Sequence, residues 1–542
     1  MNSTYRDIFK WGDKREEKVD KGTLKVVKEK LNFSDSDLAE RYLTGEMEVT
    51  IEKPVGIDKT LLERFASIVG ADNVKTDDYS RASYAYGKFY AELVNLRMEY
   101  IPSPPDAVIS PRTTEEIIEI VKLCNEYGIA ITPCGGLSSV TRGVETPKGG
   151  ISLDLTAHLN KVINLNTVNA TVTVQSGMFG PAFENYLNSV GFTCGHFPQS
   201  FEYSTVGGWF AAKGAGQAST GYGKIEHMVL AIKVVTPSGV IETKCFPASA
   251  QGWDLHLIFA GSEGTLGVIT EITMKVRRYM PENTQYASFA FKNFESAVNA
   301  MRTVMQSGVG LPHLFRISDP EETEIAFKTK GFDGTFADWF LRIMGYKSGS
   351  RCLMFMGVDG SKAYAKQVKK SVKAICRKNG SFFIGASPTL KWLEQRYSSA
   401  YLRDPLMDIG IMTDTIETAV MWDNLVNVWN SARNYLKHRP KTVVMSHISH
   451  VYENGANLYF TFLSPMEKGN ELNDYAQFHK GLVDTINASG GSLSHHHGVG
   501  RSLAPWMETQ LGVYSLNLMQ AIKNHLDPKG IMNPGDTLGL KP

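Results

Sequence analysis

The sequence lacks the features that mark a membrane-spanning or secreted chain. None of its apolar runs approaches the ~20 residues that a transmembrane helix needs, and the opening stretch MNSTYRDIFKWGDKREEKVDKG has no apolar segment of the secretory-signal type. The last residues, GLKP, do not form a peroxisomal address of the SKL type. We therefore expect a cytoplasmic protein.

A strong charge of one sign and closely spaced cysteines are also missing. The chain has 57 Lys and Arg residues against 56 Asp and Glu residues, a formal net charge of +1. This balance gives no electrostatic footprint for nucleic acid, so we expect no nucleic-acid partner. The six cysteines form no CxxC pair. Without a secretory signal, we expect reduced thiols rather than a disulfide framework.

The length of the chain predicts more than one domain. A chain of 542 residues is too long for a single hydrophobic core. Strand-like and helix-like segments are mixed, which indicates an α+β organisation without repeats. We predict four regions along the chain: a mostly helical region at 1–100, a ligand domain at 101–281, a second domain folded over it at 282–490, and a C-terminal segment at 491–542 that completes the active site.

Local patterns give the main elements of the ligand domain. TTEEIIEIVKLCNEYG predicts a helix that Thr113 caps while Glu116 reaches back, with Ile117, Ile120, Val121 and Cys124 on one face. IAITPC follows as a β-branched strand. An amphipathic helix is also predicted for TLKVVKEKLNF, but residues 1–60 show no chemistry. Further strands are expected in GISLDL, TVTVQSG, MVLAIKVVTPSG, GVITEITMKV, RCLMFMGV and GANLYFTFL, and helices in FESAVNAMRTVM and DNLVNVWNSARNYL.

Three glycine-containing loops follow or precede these strands. They are PCGGLSS at 133–139, STVGGWFAAKGAG at 204–216 and GSEGTLG at 261–267. Adjacent glycines allow the backbone to approach a ligand, and the N–H groups of such turns can converge on phosphate oxygens. No GK[ST] or GxGxxG pattern supports a P-loop or a nicotinamide site. One such loop is typical of an ordinary turn, whereas three indicate a large phosphate-bearing cofactor.

A histidine triplet lies in the glycine-rich stretch GGSLSHHHGVGR at 490–501. Alone, it is compatible with a solvent loop, a metal site or acid–base catalysis. Adjacent histidines suit one metal ion poorly, and the triplet contains no carboxylate, so we predict no metal. Tyr459 on its own would be a core aromatic. Arg403 could pair with Asp404 at a surface, and Arg316 with Asp319.

The order of these motifs resembles the PCMH-type FAD-binding fold of the vanillyl-alcohol oxidase superfamily, and within it the alkyldihydroxyacetonephosphate synthase family. The resemblance covers about residues 100–540 and implies a two-subdomain FAD-binding domain with an α+β cap domain over the flavin. It implies that FAD is held by three groups of residues: Pro133, Cys134, Gly135, Gly136, Leu137, Ser138 and Ser139; Gln199, Ser200, Phe201, Glu202, Tyr203, Ser204 and Thr205 with Ala212, Lys213, Gly214 and Ala215; and Glu263, Gly264, Thr265, Leu266, Gly267, Val268 and Ile269.

The resemblance also implies a reaction and its residues. In this family the acyl chain of acyl-dihydroxyacetone phosphate is exchanged for a long-chain fatty alcohol, a redox-neutral step of ether lipid biosynthesis with FAD N5 as the electrophile. SLSHHHGVG matches the catalytic loop, GANLYFTF the tyrosine strand, AYLRD the phosphate-binding arginine and PHLFRISD an arginine near the flavin. The implied catalytic residues are Tyr459, His495, His496, His497 and Arg316, with Arg403 binding substrate.

These residue types suit that chemistry. A guanidinium offers paired donors to a phosphate. A tyrosine can remove a proton beside a carbonyl only if its neighbours favour the phenolate, and we expect the imidazoles to do so. TDTIETAVMWDNL resembles a loop that closes over the substrate. The resemblance also implies a homodimer with peripheral membrane contact.

Two other functions stay open at the level of the sequence. The ending GIMNPG resembles FAD-dependent D-2-hydroxy-acid dehydrogenases of the lactate or glycolate type, in which the histidines would take the hydroxyl proton of a hydroxy-acid substrate. A flavin-bound binding protein without turnover is the third hypothesis. The pyrophosphate loop also departs from the GGGTS pattern of the family, because the Cβ of Leu137 restricts the turn.

Overall fold

The computed structural model describes residues 3–12 and 18–539. Its eighteen β-strands are β1 Val74–Lys75, β2 Ala107–Ile109, β3 Ile131–Cys134, β4 Ile151–Asp154, β5 Val162–Asn166, β6 Thr171–Gln175, β7 Phe192–Thr193, β8 Val229–Thr236, β9 Gly239–Glu242, β10 Val268–Lys275, β11 Arg277–Arg278, β12 Gln285–Phe291, β13 Leu314–Ser318, β14 Cys352–Val358, β15 Phe382–Gly385, β16 Ile411–Met421, β17 Val443–Ile448 and β18 Gly455–Pro465.

The α-helices of the described residues are mostly short and lie between the strands. They are α1 Tyr5–Phe9, α2 Lys21–Leu31, α3 Asp35–Ala39, α4 Lys59–Val69, α5 Asp78–Ser83, α6 Tyr90–Arg97, α7 Thr114–Tyr127, α8 Gly180–Ser189, α9 Val206–Ala211, α10 Ser219–Tyr222, α11 Ile225–Met228, α12 Leu255–Ile258, α13 Phe294–Gln306, α14 Pro320–Thr329, α15 Phe336–Ile343, α16 Lys362–Lys378, α17 Ser387–Glu394, α18 Arg403–Met407, α19 Leu425–His438, α20 Glu471–Ala488, α21 Gly500–Leu503, α22 Met507–Leu511 and α23 Val513–Leu526.

The strands form three large sheets and one small one. The first sheet has the order β1-β2-β4-β3, with β2, β4 and β3 parallel. The second is antiparallel in the order β5-β6-β10-β8-β9, and a two-stranded ribbon pairs β11 with β7. The third is a seven-stranded antiparallel sheet in the order β15-β12-β14-β13-β17-β18-β16. The chain is therefore an α+β protein, as predicted.

Each large sheet carries its own apolar core. Helices α4 and α7 pack Phe65 and Ile117 against the parallel strands, while Phe183 and Phe210 help to cover the second sheet. Helices α13, α16, α19 and α20 cover one face of the seven-stranded sheet. The opposite face of that sheet is the one that presents polar side chains to the site described below.

The local predictions hold, with two corrections. The Thr113 hydroxyl caps α7 by accepting a hydrogen bond from the Glu116 N–H at 3.2 Å, but the Glu116 carboxylate accepts from the Arg112 N–H at 2.7 Å and not from Thr113. The segment TDTIETAVMWDNL is not a closing loop, because its first nine residues belong to the eleven-residue strand β16. Every predicted strand and helix named above is present.

The cysteines and the helices bear on two further expectations, reduced thiols and the lack of a transmembrane helix. All six cysteines are free thiols, and only Cys245 among them is exposed. Among the residues that the structure describes, no helix combines the length and the apolar character needed to cross a bilayer.

Candidate active site

The predicted cofactor loops meet at the end of β3. A Cβ on Gly136 would lie 2.0 Å from the Tyr203 carbonyl oxygen, and one on Gly135 would lie 2.4 Å from the Thr205 Oγ1. In the third loop, a Cβ on Gly264 would come within 3.0 Å of the Pro133 ring. Glycine is therefore required at position 136, where the neighbouring atom is backbone, while at positions 135 and 264 a side chain would crowd the Thr205 hydroxyl and the Pro133 ring.

Three non-glycine residues in the same loops adopt left-handed backbone conformations. Leu137 has φ 54°, Lys213 has φ 55° and Glu263 has φ 47°. The Cβ of Leu137 restricts this turn, as we predict, and the residue completes the turn by adopting the left-handed conformation. Such conformations cost about 1 kcal/mol or more for a residue with a Cβ and gather at ligand sites.

The loop after β3 has the free donors that a pyrophosphate needs. Within the described residues, no protein acceptor pairs with the backbone N–H groups of residues 135–140, and this half-buried loop is not part of a helix or strand. Two N–H groups further along, those of Thr141 and Gly143, donate to the Ser139 hydroxyl. A row of unpaired N–H groups is an anion-binding arrangement. The residues present therefore fit the diphosphate of FAD.

A second unpaired group lies beside the loop that follows α9. His196 is buried, and its ring packs against that of Trp209 in a tilted arrangement with the centroids 4.7 Å apart. Neither of its ring nitrogens has a hydrogen-bond partner within the described residues. Burial lowers the pKa of His196 to about 3, so the ring is neutral. Its Nε2 points toward Gly214, 3.8 Å from where a Cβ would stand. This buried donor and acceptor suits a polar edge of a bound ring.

The remaining predicted cofactor residues are more scattered. Gln199 is exposed and donates to the Ser399 hydroxyl at 3.3 Å, away from the β3 loop. Val268 and Ile269 begin β10 and have buried side chains in the cores of two sheets. The Cys134 thiol is buried and faces the Thr132 carbonyl, and burial raises its pKa. It is thus a protonated thiol at the end of β3 and not a reactive thiolate.

The C-terminal segment ties the cofactor loops to the histidine loop. Asn533 donates from Nδ2 to the carbonyls of Gly143 and Glu263 and accepts from Arg501 at 2.6 Å. The Glu263 carboxylate in turn accepts the Val499 N–H at 2.6 Å. Through these contacts the GIMNPG ending braces the site.

The histidine triplet is organised around one carboxylate that the sequence analysis does not name. Glu417 on β16 is buried and accepts hydrogen bonds from the backbone N–H groups of His495, His496 and His497 at 2.8–3.1 Å and from the Ser494 hydroxyl at 2.7 Å. These donors and the nearby imidazoles hold the pKa of Glu417 well below its usual range despite burial. A carboxylate with this many donors fixes the loop in one conformation.

Tyr459 lies at the centre of this cluster. It is opposite Glu417 on β16 and His447 on β17 in the strand register, so all three side chains share one face of the sheet. Its ring stacks on His447 at 4.7 Å and lies 5.9 Å from the His496 ring and 5.4 Å from the His497 ring. The structure thus brings together the tyrosine and the triplet that the sequence separates.

Arg316 joins the same cluster through a bridge. Glu322, at the start of α14, pairs with Arg316 and accepts from His447 Nδ1 at 3.2 Å. The positive charge of Arg316 lowers the pKa of Glu322 to about 2 against the opposing effect of burial. Arg316 therefore pairs with Glu322 rather than with Asp319, which binds Arg433 at 2.8 Å.

The ionisation of the cluster differs from our expectation. Burial, aided by the charges of Glu417 and Asp414, raises the pKa of Tyr459 to about 12. A hydrogen bond with Thr415 opposes this shift. Burial also lowers the pKa of His447 and of His497 to about 4 each. Neutral imidazoles do not favour a phenolate, so in the protein alone Tyr459 is a phenol.

Arg403 lies in a separate corner of the site. Its Nη1 donates to the Lys88 carbonyl at 2.9 Å, whereas its Nε and Nη2 are buried and without a partner within the described residues. Asp404 does not pair with it, because that carboxylate lies 3.5 Å from Arg97 and accepts the Trp11 N–H at 2.8 Å. The surface-pair alternative for Arg403 is therefore wrong.

The N-terminal residues contribute to this corner, although we assign them no chemistry from sequence. Lys88 donates from Nζ to the carbonyls of Ile8 and Phe9 at 2.8 and 3.1 Å, and the Arg403 guanidinium lies 5.9 Å from the centre of the Trp11 ring. Burial lowers the pKa of Lys88 to about 8. No motif marks these residues, since their role depends on long-range packing.

A metal ion is not assigned to the cluster. The ligand atoms of Glu417, His495 and His496 all lie within 4.8 Å of one another, and the carboxylate comes from another strand and not from the triplet. However, Glu417 is engaged by backbone donors, and the Nδ1 atoms of His495 and His496 lie 3.0 Å apart in a mutual hydrogen bond. The absence of a metal stays a prediction.

Comparison with known proteins identifies related chains. Residues 105–244 match the family described as FAD binding domain, and residues 280–537 match FAD linked oxidases, C-terminal domain. The chain is 35% identical to alkyldihydroxyacetonephosphate synthase from Dictyostelium discoideum over 85% of this chain and 78% of that protein. A solved structure of alkyldihydroxyacetonephosphate synthase superimposes with a TM-score of 0.82 at 29% identity, covering 98% of each chain.

A relative of the alternative class is more distant. The mitochondrial cytochrome-dependent D-lactate dehydrogenase of Arabidopsis thaliana is 28% identical over 93% of this chain and 83% of that protein. The family matches also bear out the PCMH-type fold and the FAD cofactor that the resemblance implies.

Gly136→Ala is expected to weaken FAD binding about 5- to 150-fold. The new methyl group would meet the Tyr203 carbonyl at 2.0 Å, so the two loops must separate at a cost of about 1–3 kcal/mol. Flavin absorbance per chain after gel filtration measures the loss. Unchanged flavin content in a variant whose circular dichroism matches the wild type would contradict the assignment of these loops to FAD binding.

Proposed function

The chain belongs to the alkyldihydroxyacetonephosphate synthase family, and from this premise we propose that it makes ether lipid precursors. In the proposed reaction the acyl chain of acyl-dihydroxyacetone phosphate is exchanged for a long-chain fatty alcohol. The observation that carries this proposal is the packing of Tyr459 against the rings of His496 and His497. Such packing places a phenol and imidazoles where one substrate proton can be moved.

FAD is the cofactor of the reaction, and the chain has residues that suit it. The unpaired N–H groups of residues 135–140 would hold the diphosphate, and His196 would face a ring edge. When bound, the flavin supplies an electrophilic centre without net oxidation or reduction of the substrates. The protein supplies orientation and charge.

Arg403 is proposed to bind the substrate phosphate. Its Nε and Nη2 atoms are buried and have no acceptor among the described residues, and paired guanidinium donors match phosphate oxygens. Burial lowers the pKa of Arg403, but a guanidinium keeps its proton at neutral pH. A dianionic phosphate would complete these hydrogen bonds.

Proton transfer at the substrate carbon is proposed for Tyr459 and His496 together. The tyrosine alone is not available as a base at neutral pH, because burial raises its pKa to about 12 and keeps it protonated. His496 is placed to take the proton, since its Nδ1 lies 3.3 Å from the Glu417 carboxylate, which would balance the charge of an imidazolium. Arg316, held by Glu322, contributes positive charge beside the tyrosine.

The function is tested by an anaerobic exchange assay with the purified holoenzyme. With acyl-dihydroxyacetone phosphate and hexadecanol, we expect an alkyl product, a released fatty acid and a flavin that is still oxidised at the end. Bleaching of the flavin by D-lactate, glycolate or D-2-hydroxyglutarate, with no alkyl product, would instead favour the D-2-hydroxy-acid dehydrogenase alternative.

Peripheral membrane contact is proposed for the exposed face of α15. Phe336, Trp339 and Ile343 are 77%, 54% and 62% exposed, and the buried side of the helix faces the protein through Leu341. Lys391 lies over the neighbouring Phe332 ring. An amphipathic helix with an aromatic face and nearby basic residues is typical of binding at a lipid surface.

The double variant Phe336→Ser with Trp339→Ser is expected to lower vesicle binding at least tenfold. Each ring would lose about 1.5–3 kcal/mol of burial in the bilayer interface. Co-sedimentation with vesicles that contain anionic lipid measures the change. The matched control is Trp253→Ser, which removes a 77% exposed ring outside α15, and equal losses in both variants would contradict the assignment to α15.

The homodimer implied by the resemblance is also a proposal. Leu511, Val513, Tyr514 and Leu518 form an exposed apolar set on α22 and α23 that could bury against a second copy. Sedimentation velocity of the holoenzyme tests it, with a monomer as the contradicting result.

A further inference from the structure

A chain of hydrogen bonds leads away from the Tyr459 cluster. The His495 and His496 Nδ1 atoms lie 3.0 Å apart, and the His495 Nε2 lies 2.6 Å from the Tyr452 hydroxyl. His495 is therefore bonded through both ring nitrogens, one toward the triplet and the other away from it. This is the arrangement in which an imidazole can receive a proton on one side and release another on the opposite side.

The direction of the proposed transfer follows from the charge beside His496. Its Nδ1 lies 3.3 Å from the Glu417 carboxylate and 3.0 Å from the His495 Nδ1, and in the proposed direction a His496 that has taken the substrate proton donates to the His495 Nδ1. The neutral His495 then carries its proton on Nε2 and donates it to the Tyr452 oxygen. Burial and the charge of His496 both lower the pKa of His495, so this ring is neutral before transfer begins.

A buried ion pair lies near the far end of this hydrogen-bond chain. Lys224 donates to the His495 carbonyl at 2.6 Å and pairs with Glu226 at 3.3 Å. The Glu226 Oε2 is buried and has no hydrogen-bond partner within the described residues. Burial raises the pKa of Tyr452, and the negative charge of Glu226 adds to that effect. The next residue along the helix, His227, is exposed.

We propose that His495 and Tyr452 form a proton relay from His496 toward the Glu226–Lys224 pair, a role that rests on the proposed exchange function. The exchange breaks the C–O bond of the acyl ester and the O–H bond of the alcohol, and it forms an ether C–O bond. The products are the ether, a fatty carboxylate and one proton. No oxidant or reductant is needed, but that proton has to leave a buried cluster in each turnover.

The relay follows two hydrogen bonds. The proton on His496 Nδ1 passes to His495 Nδ1, and the proton on His495 Nε2 passes to the Tyr452 oxygen. The Tyr452 hydroxyl proton is then released toward the buried Glu226 charge, and rotation of the His495 ring and of the Tyr452 hydroxyl restores the starting tautomers. Tyr452 acts through His495 and does not contact Tyr459, so it is a positioning and relay residue rather than a catalytic one.

The first test compares Tyr452→Phe with the wild-type holoenzyme in the exchange assay. We expect kcat to fall about tenfold, KM for both substrates to stay within about twofold, and the solvent deuterium isotope effect on kcat to rise because proton release becomes limiting. Added imidazole buffer is expected to restore part of the rate. The matched control is Tyr435→Phe, which removes a half-buried hydroxyl bonded to the Phe478 carbonyl at 3.1 Å and leaves these values unchanged.

A second measurement does not depend on turnover. In holoenzyme with ¹⁵N-labelled histidine, the 2.6 Å bond should give a strongly downfield proton coupled to one imidazole nitrogen, and Tyr452→Phe should remove it. An active wild type whose Tyr452→Phe variant keeps kcat and the isotope effect overturns the relay. An inactive wild type refutes the exchange function instead, and in that case an unchanged downfield spectrum in the variant also overturns the relay.

Discussion

Tyr459→Phe is expected to lower kcat for the alkyl exchange by about 10³-fold while the protein stays yellow. The variant keeps the ring that stacks on His447 at 4.7 Å and loses only the hydroxyl. Because a phenylalanine fits the same space, the fold and the flavin site remain intact. Production of alkyl product from labelled hexadecanol gives the rate, and visible absorbance gives the flavin content.

The control for this experiment is a tyrosine outside the cluster. Tyr346→Phe removes a hydroxyl that donates to the Gly380 carbonyl at 3.0 Å, just before the edge strand β15 and at the opposite edge of the seven-stranded sheet from β16. It should leave kcat unchanged. If Tyr459→Phe retains more than about a tenth of wild-type kcat, then the hydroxyl does not move the substrate proton, and His496 would have to act alone.

The sequence predicts the parts of this site that depend on local pattern. Strand β18, the helix α7 and the glycines at 135 and 136 follow from alternation, capping and close backbone approach. The histidine triplet and Tyr459 are found because they stand in recognisable motifs. Their distance from each other is not encoded locally, since it depends on the antiparallel pairing of β16, β17 and β18.

The residues that the sequence does not reveal are those that act at long range. Glu417 lies in a segment that resembles a loop but pairs along its whole length as a strand, and its carboxylate organises three backbone N–H groups some 80 positions later. His447, Glu322 and Tyr452 likewise have no motif. A signal was present in one case: β16, IMTDTIETAVM, is rich in the β-branched residues Ile, Thr and Val, and this composition is typical of a strand.

The ionisation of the site is the least accessible property from sequence. The expectation that imidazoles favour a phenolate is wrong for the protein alone because burial dominates over charge at Tyr459, His447 and His497. Desolvation depends on the whole surroundings of a side chain and not on its neighbours in the chain. Because the cluster is buried, the proton released in the proposed exchange cannot pass directly to water and needs a path through side chains.

Arg403→Lys is expected to lower kcat/KM for acyl-dihydroxyacetone phosphate by about 10²–10³-fold, mainly through a higher KM. Lysine keeps the positive charge but cannot present the two donors, Nε and Nη2, that are buried without a partner in the described residues. Each hydrogen bond between charged groups contributes about 1.5–3 kcal/mol. The loss therefore separates the geometry of the guanidinium from its charge.

The matched control is Arg439→Lys, which alters a guanidinium that binds Asp474 through two bonds of 2.7 Å at a distance from the site. Competition by dihydroxyacetone phosphate gives an independent readout, since it contains the phosphate without the acyl chain. We expect its inhibition constant to rise in Arg403→Lys in step with KM and to stay unchanged in Arg439→Lys. A rise in KM without a change in the inhibition constant would show that Arg403 does not bind the phosphate. Lys88 would then be the next cation to test, because the Arg403 guanidinium contacts its carbonyl.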